Sequence, residues 1–179
     1  MARMNNPVIR TAVVPVSEVF DLRWEVLRPG LPRESAVFPE DAGPDTFHIA
    51  AYAGDAPAVL GCGTFFPDPL PDAEPGSAAA ASAYRFRGMA SAPAARGRGF
   101  GAAVLRAGTA EAAARGARVL WCNGRTVARG FYEHHGFTVR GEEFVIEGVG
   151  PHHVFVREIV REIVGEIGDA GEKGEAAAR

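Results

Sequence analysis

The chain has 179 residues, a mass of 18.9 kDa and a formal net charge of −3, and 47% of its residues are hydrophobic. This size suits one domain that folds without a metal or a disulfide, and the composition excludes a wholly disordered chain. No run approaches the ~20 apolar residues of a membrane span, and residues 1–10 lack the apolar core of a secretory signal. Cys62 and Cys122 form neither a disulfide framework nor a zinc spacing. We therefore expect a cytoplasmic protein with reduced thiols, no membrane partner and no metal.

Charge is distributed unevenly along the chain. Residues 158–179 contain six acidic and three basic residues, so the remaining body is neutral. Within that body, residues 75–132 carry nine arginines and a single acidic residue, Glu111. A local excess of arginine in a neutral protein indicates either a polyanionic ligand or solvated surface charge. Because these arginines are not interleaved with stacking aromatic residues, we do not expect a nucleic-acid partner.

Short β-branched runs between Pro- and Gly-rich turns predict strands, and apolar residues at helical spacing predict helices. The predicted strands are residues 8–14, 47–53, 59–66, 84–91, 118–122, 137–145 and 153–156. The predicted helices are residues 17–28, 102–115 and 126–135, while residues 29–46 and 67–83 are predicted loops. Residues 158–179 are predicted to form an acidic C-terminal helix or a disordered tail. This order predicts an α/β fold with a mixed sheet and helices on its faces.

The segment of residues 96–101, Arg-Gly-Arg-Gly-Phe-Gly, follows a predicted strand and opens a predicted helix. Glycine allows a ligand to approach the main chain closely, and the free N–H groups of a helix N-terminus favour an anion. The segment therefore predicts a phosphate-binding turn, with Arg96 and Arg98 adding positive charge. It is no Walker A loop, because no Gly-Lys-Ser/Thr follows. A dinucleotide-binding turn and a turn without a ligand remain alternatives.

Two motifs in this region resemble the GNAT superfamily of N-acetyltransferases. Arg96-x-x-Gly99-x-Gly101 is similar to the family's acetyl-coenzyme A signature, Gln/Arg-x-x-Gly-x-Gly/Ala. Residues 128–137 (ARGFYEHHGF) are similar to its Ala-x-x-x-Tyr-x-x-x-Gly-Phe motif. The motifs occur in the family's order and at its separation. The resemblance implies a mostly antiparallel central sheet of about six to seven strands with helices on both faces, and an acetyltransferase domain over residues 1–157.

The resemblance also implies which residues bind acetyl-coenzyme A (acetyl-CoA) and which catalyse transfer. The expected cofactor-binding residues are Met89, Ala90, Ser91, Arg96, Gly97, Arg98, Gly99, Phe100, Gly101 and Asn123. Many family members carry Asn seven residues before the motif tyrosine, where this chain has Arg125, so either Arg125 or Asn123 is expected to contact the pantetheine arm. Tyr132 matches the family's tyrosine and is expected to protonate the leaving thiolate.

Other catalytic groups stay open at this stage. A backbone N–H near Met89 or Ala90 is expected to stabilise the thioester oxygen. The candidates for the base that deprotonates the amine are a water held by backbone carbonyls, Glu143, His152, Glu34 and Glu25. The predicted loops 29–46 and 67–83 are expected to line the acceptor site. Their acidic residues favour a cationic amine: Glu34, Glu40, Asp41 and Asp72.

The expected function is transfer of an acetyl group from acetyl-CoA directly to a primary amine of a small molecule or peptide, through a ternary complex. The alternatives are an acetyl-CoA-binding module without turnover and a nucleotide-dependent oxidoreductase. The isoleucines of the tail, at positions 159, 163 and 167, make a homodimer a further expectation.

Overall fold

A computed structural model of the protein describes residues 7–159, which form a seven-stranded sheet in the order β1-β2-β3-β4-β5-β7-β6. The strands are β1 (Ile9–Val14), β2 (Phe47–Ala53), β3 (Gly61–Pro67), β4 (Ala83–Ser91), β5 (Val119–Arg125), β6 (Thr138–Ile146) and β7 (Gly150–Glu158). The α-helices are α1 (Val16–Leu27), α2 (Ala78–Ala81), α3 (Phe100–Ala114) and α4 (Arg129–His134). The predicted C-terminal tail lies outside the described residues, except for residues 158 and 159.

Every pair of neighbouring strands is antiparallel except β4 and β5, which are parallel. Alternate side chains of β2 pack on opposite faces: Ile49 belongs to the core under α3, whereas Ala50 packs with Val19 and Leu22 of α1. Tyr132 of α4 packs in the core on the α3 face. Helices therefore cover both faces, which confirms the predicted mixed, mostly antiparallel sheet. We call its two sides the α1 face and the α3 face.

The predicted elements are present, with shifts at their ends. Strand β5 runs on to Arg125 because its last three residues pair with β7 from Val154 to His152. The Asn123-Gly124 pair resembles a turn signal in the sequence, but ladder hydrogen bonds to the neighbouring strand override it. Helix α3 begins at Phe100, two residues earlier than predicted. The predicted loops contain two short 3₁₀ turns, Arg33–Ala36 and Pro39–Ala42, and the one-turn helix α2.

The aromatic core on the α3 face holds β4 and β5 in place. Phe86 is 1% exposed and packs against Phe65, Tyr132 and Phe137 at ring-centroid distances of 5.6, 6.1 and 5.8 Å. Such a cluster fixes the position of β4 because protein interiors are close-packed. In the described part of the chain, no helix is long and apolar enough to cross a membrane.

Candidate active site

Strands β4 and β5 pair over only three residues and then separate. The ladder joins Ala83–Arg85 to Val119–Trp121, and neither strand pairs with the other beyond this point. The main chain of β4 after Arg85 is therefore free on its β5 side. A cleft of about 480 Å³ occupies the gap between the strands.

A β-bulge in β4 lies three residues beyond the point where the strands separate. The register with β3 shifts between the pairs Cys62↔Ala90 and Thr64↔Arg87, so that Gly88 and Met89 lie opposite the single residue Gly63. Gly88 has φ +67°, which only glycine adopts readily, and a Cβ there would lie 2.8 Å from the Phe38 ring. A bulge of this type bends the strand and re-aims its peptide groups. Gly88 thus shapes the cleft wall through its backbone.

The cleft contains six of the eleven residues that the sequence placed in the site. They are Met89, Ala90, Ser91, Arg96, Asn123 and Tyr132. The remaining five, residues 97–101, lie outside the cleft lining, between the end of β4 and the first turn of α3. Arg96 in the cleft lining directly precedes residues 97–101, so a ligand that enters between the strands can extend to the glycine turn.

The glycine turn has the backbone conformation of an anion-binding site. Gly97 and Gly99 have φ values of +73° and +91°, and Gly99 caps α3 without a side-chain hydrogen bond. The first intrahelical bond runs from Ala103 N–H to Gly99 O, at 3.0 Å. The N–H groups of Phe100 and Gly101 therefore have no carbonyl inside the helix. A diphosphate fits this turn, because free amides and the helix dipole favour negative charge.

The side chains near the turn divide into two groups. The ring of Phe100 is 2% exposed and belongs to the core, so Phe100 offers a ligand only its backbone N–H. Arg98 lies over that ring, 5.8 Å from its centroid, while Arg96 lines the cleft. A Cβ on Gly101 would lie 3.6 Å from Ser91 Oγ and 3.9 Å from Phe131, and thus between the end of β4 and α4. These residues fit the diphosphate and adjoining arm of acetyl-CoA.

Tyr132 reaches the cleft from the α3 face. Its ring is 9% exposed and stacks on Phe155 at a centroid distance of 4.6 Å. Burial, and then the adjacent Cys122, raise the pKa of Tyr132 well above its ordinary value, so the hydroxyl stays protonated at neutral pH. Burial also raises the pKa of Cys122 to about 12, which leaves that thiol a poor nucleophile. Tyr132 therefore keeps a protonated hydroxyl in the cleft at neutral pH.

Of the four side chains named as candidate bases, the cleft lining includes only His152. The Glu143 carboxylate accepts a hydrogen bond from the Thr126 hydroxyl on the exposed side of β6, and Glu25 and Glu34 are exposed outside the cleft. His152 lies 4% exposed, with Nδ1 2.7 Å from the Gly150 carbonyl. Because a carbonyl can only accept, Nδ1 carries the proton, and the Nε2 of neutral His152 is left as an acceptor.

The structure also brings residues into the cleft that the sequence analysis did not assign to it. Arg85 and Arg87 alternate with Phe86 along β4 and therefore lie on the α1 face. Arg28 at the end of α1 and Phe38 of the first loop complete this side. The spacing Arg85-x-Arg87 could have indicated that both arginines lie on one face of the strand, but it could not have indicated that this face borders the cleft. Of the two loops that were expected to line the acceptor site, residues 29–46 contribute Phe38 to the cleft lining and residues 67–83 contribute no residue.

Asn123 and Tyr132 approach the cleft from opposite faces. Cys122 packs on the α3 face with Tyr132, so the next residue of β5, Asn123, lies on the α1 face. Its cross-strand partner Val154 packs with Trp121 on the same face. Arg125, two residues further, also lines the cleft from that side. Among residues 7–159, no group of three or more His, Cys, Asp or Glu side chains is arranged to hold a metal ion.

Comparisons with known proteins agree with this geometry. Residues 16–137 match the family model described as acetyltransferase (GNAT) family. The chain is 27% identical to the uncharacterized N-acetyltransferase YitI of Bacillus subtilis over 152 residues, 85% of this chain and 97% of the relative. The Escherichia coli ElaA structure superposes with a TM-score of 0.64 at 15% identity, covering 84% of this chain and all of ElaA. A GCN5-related N-acetyltransferase of Kribbella flavida superposes with a TM-score of 0.60 at 24% identity, covering 84% of this chain and 97% of that chain. The structural likenesses show a shared fold, and the match over most of the chain shows that this protein belongs to the GNAT family of acetyltransferases.

Proposed function

We propose that this protein transfers an acetyl group from acetyl-CoA directly to a primary amine of a small molecule or peptide, through a ternary complex. The observation that carries the proposal is the single cleft between β4 and β5, which contains both Tyr132 and His152. Direct transfer needs one group that takes a proton from the amine and one that gives a proton to the leaving thiolate. These two side chains supply both.

The glycine turn and the free edge of β4 would hold the cofactor. The amides of residues 99–101, with Arg96 and Arg98, suit the diphosphate, since guanidinium groups donate hydrogen bonds to phosphate in pairs. The peptide groups of Met89, Ala90 and Ser91 have no strand partner on the β5 side and are available to the pantetheine arm. When bound, acetyl-CoA supplies the activated acyl group.

The chain's own residues then perform the proton transfers. His152 Nε2 accepts a proton from the attacking amine, while Nδ1–H stays bonded to the Gly150 carbonyl and holds the ring in place. A backbone N–H at Met89 or Ala90 donates to the acyl oxygen as negative charge develops there. The Tyr132 hydroxyl, kept protonated by burial, gives its proton to the departing sulfur.

The two other functions named from the sequence differ in what they require. Membership of the GNAT family favours acyl transfer over hydride transfer. A binding module without turnover needs no proton donor or acceptor beside the gap, yet Tyr132 and His152 are both buried there. This pairing favours an enzyme.

Two measurements on the full chain test the proposal. Calorimetric titration with acetyl-CoA and with NAD is expected to give binding to acetyl-CoA alone. A thiol-release assay over amino acids, amino sugars, polyamines, aminoglycosides and peptide N-termini is expected to give amine-dependent turnover with at least one class. Binding of acetyl-CoA without turnover on any class would support the module instead, and heat with NAD alone would support the oxidoreductase.

A further inference from the structure

The cleft is strongly basic, and most of its arginines lie on the side that faces α1. Among the described residues that line it, none is Asp or Glu, whereas five are arginines. They are Arg28, Arg85, Arg87, Arg96 and Arg125. Arg96 belongs to the expected diphosphate site, which leaves four arginines on the α1 side. Two acidic side chains outside the lining, Asp68 and Glu40, contact Arg85 and Arg87, so four positive charges less two negative ones leave an excess of two on that side.

Two of the four acidic residues that suggested a cationic amine are engaged by arginine, and Asp72, like Glu34, is exposed outside the cleft. Asp41 lies outside the cleft and makes a two-pronged pair with the buried Arg23, at 2.7 and 2.9 Å. Glu40 contacts Arg87. Glu34 is exposed outside the cleft. Because Asp41 and Glu40 neutralise arginines, neither leaves an unbalanced negative charge for an ammonium group.

The acidic contacts of Arg85 and Arg87 leave much of each guanidinium uncommitted. Arg85 reaches Asp68 through one nitrogen at 3.3 Å, and Arg87 reaches Glu40 through one nitrogen at 3.3 and 3.4 Å. Both are longer than the 2.7–2.9 Å typical of charge-assisted hydrogen bonds. The Nε of Arg85 is buried with no hydrogen-bond partner in the described structure.

Aromatic rings hold these guanidinium groups in fixed positions. The Arg87 guanidinium lies 3.9 Å from the centroid of Phe38, and that of Arg85 lies 5.0 Å from the centroid of Trp121. Burial, and then the charges of Arg85 and Arg28, lower the pKa of Arg87, and Glu40 offsets this only in part. An additional anion would relieve this repulsion. Pre-oriented guanidinium forks suit carboxylate and phosphate groups.

This basic side is separate from the expected diphosphate site. Arg85 lies at the closed end of the gap, where β4 still pairs with β5, and Arg87 lies two residues further along β4 on the same α1 face. The glycine turn follows the other end of β4 and leads into α3 on the opposite face. Because of the bulge, Arg87 and Ser91 lie opposite Thr64 and Gly61, three residues of β3 apart, which is about 10 Å at about 3.3 Å per residue. One anion at the glycine turn therefore leaves the α1-side arginines available.

We propose that the acceptor is a primary amine that also carries a carboxylate or phosphate group, and that Arg87 and Arg85 bind this anionic end. The inference rests on the proposed acetyl transfer and specifies its substrate class. The anion anchors the acceptor on the α1 face, and its amine extends to the gap between β4 and β5, where His152 lines the same side. Carboxylate and phosphate acceptors share this chemistry, and the experiment separates them.

The test compares amines that differ only in charge. Thiol release is measured with ω-amino acids, with aminoalkyl phosphates, with the matching amino amides and amino alcohols, and with putrescine. We expect kcat/KM for one of the anionic series to exceed that of its neutral isostere by on the order of 10- to 100-fold, the range of one or two charge-assisted hydrogen bonds. The preferred series identifies the anion. Equal or greater kcat/KM for the neutral amines or putrescine would overturn the inference while leaving acetyl transfer intact.

Variants assign the effect to a residue. Arg87→Gln is expected to raise KM for the anionic amine by about 10-fold or more, with little change in KM for acetyl-CoA. Arg87→Lys keeps the charge but loses the forked guanidinium, and its KM for the anionic amine is expected to lie between those of the wild type and Arg87→Gln. Arg106→Gln removes an exposed arginine of α3 outside the cleft and serves as the matched control. An unchanged KM for the anionic amine in folded Arg87→Gln would also overturn the inference.

Direct binding keeps the two proposals distinguishable. The anionic amines are titrated into wild type and Arg87→Gln by calorimetry in the presence of coenzyme A, without turnover. Arg87-dependent binding supports the anionic class even if no acetyl transfer is detected, in which case only the proposed activity fails. Wild-type binding of neither anionic series would contradict the anionic class whatever the rate of acetyl transfer.

Discussion

Gly124 leaves the space that the ring of Tyr132 occupies. A Cβ on Gly124 would lie 2.5 Å from Cε2 of Tyr132 and 2.7 Å from Cδ2 of Phe155. Strand β5 therefore needs glycine here so that the α4 tyrosine can pack against Phe155 and reach the cleft. The contact ties the sequence of one strand to the position of the proposed acid.

Gly124→Ala is accordingly expected to displace Tyr132. Overpacking of this kind destabilises a protein by about 1–3 kcal/mol, and a shifted hydroxyl lowers kcat. Gly130→Ala is the matched control, because it makes the same change in α4 where no atom lies within 4 Å of the new Cβ. Thermal unfolding and thiol release would measure both effects. Equal kcat in the two variants would show that the position of Tyr132 does not limit transfer.

Tyr132→Phe removes the proposed acid and keeps the ring. We expect kcat to fall by about 10²-fold or more, the lower end of the range for general acid catalysis, with little change in acetyl-CoA affinity. Because burial raises the pKa of Tyr132 above its usual value, its protonated form persists on the alkaline side of neutrality, and wild-type activity should show no loss from its ionisation up to about pH 9. Tyr84→Phe, a buried tyrosine of the same core, is the control. Full activity in Tyr132→Phe would eliminate the acid role.

His152→Gln removes the proposed base. The expected result is a fall in kcat of about 10²-fold, with a residual rate that rises with pH as the free amine becomes more abundant. His153→Gln changes the neighbouring histidine, whose Nδ1 lies 3.1 Å from the Thr126 hydroxyl and which does not line the cleft. If both variants transfer at the wild-type rate, a water held by backbone carbonyls becomes the better candidate for the base.

Gly101→Val tests the cofactor path without straining the backbone, because Gly101 is helical whereas Gly99 has φ +91°. The new side chain would extend into the space between Ser91 and Phe131 and obstruct the arm beside the diphosphate. We expect acetyl-CoA binding to fall at least ~10-fold, measured by calorimetry. Ala110→Val makes a β-branched substitution at an exposed position of the same helix. Similar affinity in the two variants would contradict the proposed path.

Asp41→Asn tests the buried pair that supports the α1 side of the cleft. The Arg23 guanidinium is 1% exposed, and loss of its carboxylate is expected to lower stability by about 3 kcal/mol. Burial raises the pKa of Asp41, but hydrogen bonds from Arg23 and Phe38 N–H outweigh it and hold the pKa below 3.8. The stabilisation is therefore present above about pH 4 and lost as pH falls through the folded-state pKa. Denaturant unfolding should show a larger free energy of unfolding for the wild type than for Asp41→Asn at pH 7, and this difference should shrink towards pH 3. A difference that stays constant with pH would contradict this account.

Local patterns in the chain were sufficient to predict much of this protein. Residues 96–101 and the segment around Tyr132 indicated the family, since a glycine turn and a helical Tyr motif are contiguous in sequence. Alternating and helical periodicity predicted the strands and helices because each pattern depends on which side chains face the core over a few residues.

The roles of the charged residues depended on packing between segments distant in sequence. The sequence left four side chains as candidate bases, and the pairing of β5 with β7 brought only His152 into the cleft lining. The acidic residues of the predicted loops also favoured a cationic acceptor. In the fold, however, Arg23 binds Asp41, 18 residues away along the chain, and Arg87 contacts Glu40, 47 residues away. An ion pair is decided by proximity in the folded core and by the loss of solvent there, and neither quantity can be read from spacing along the chain.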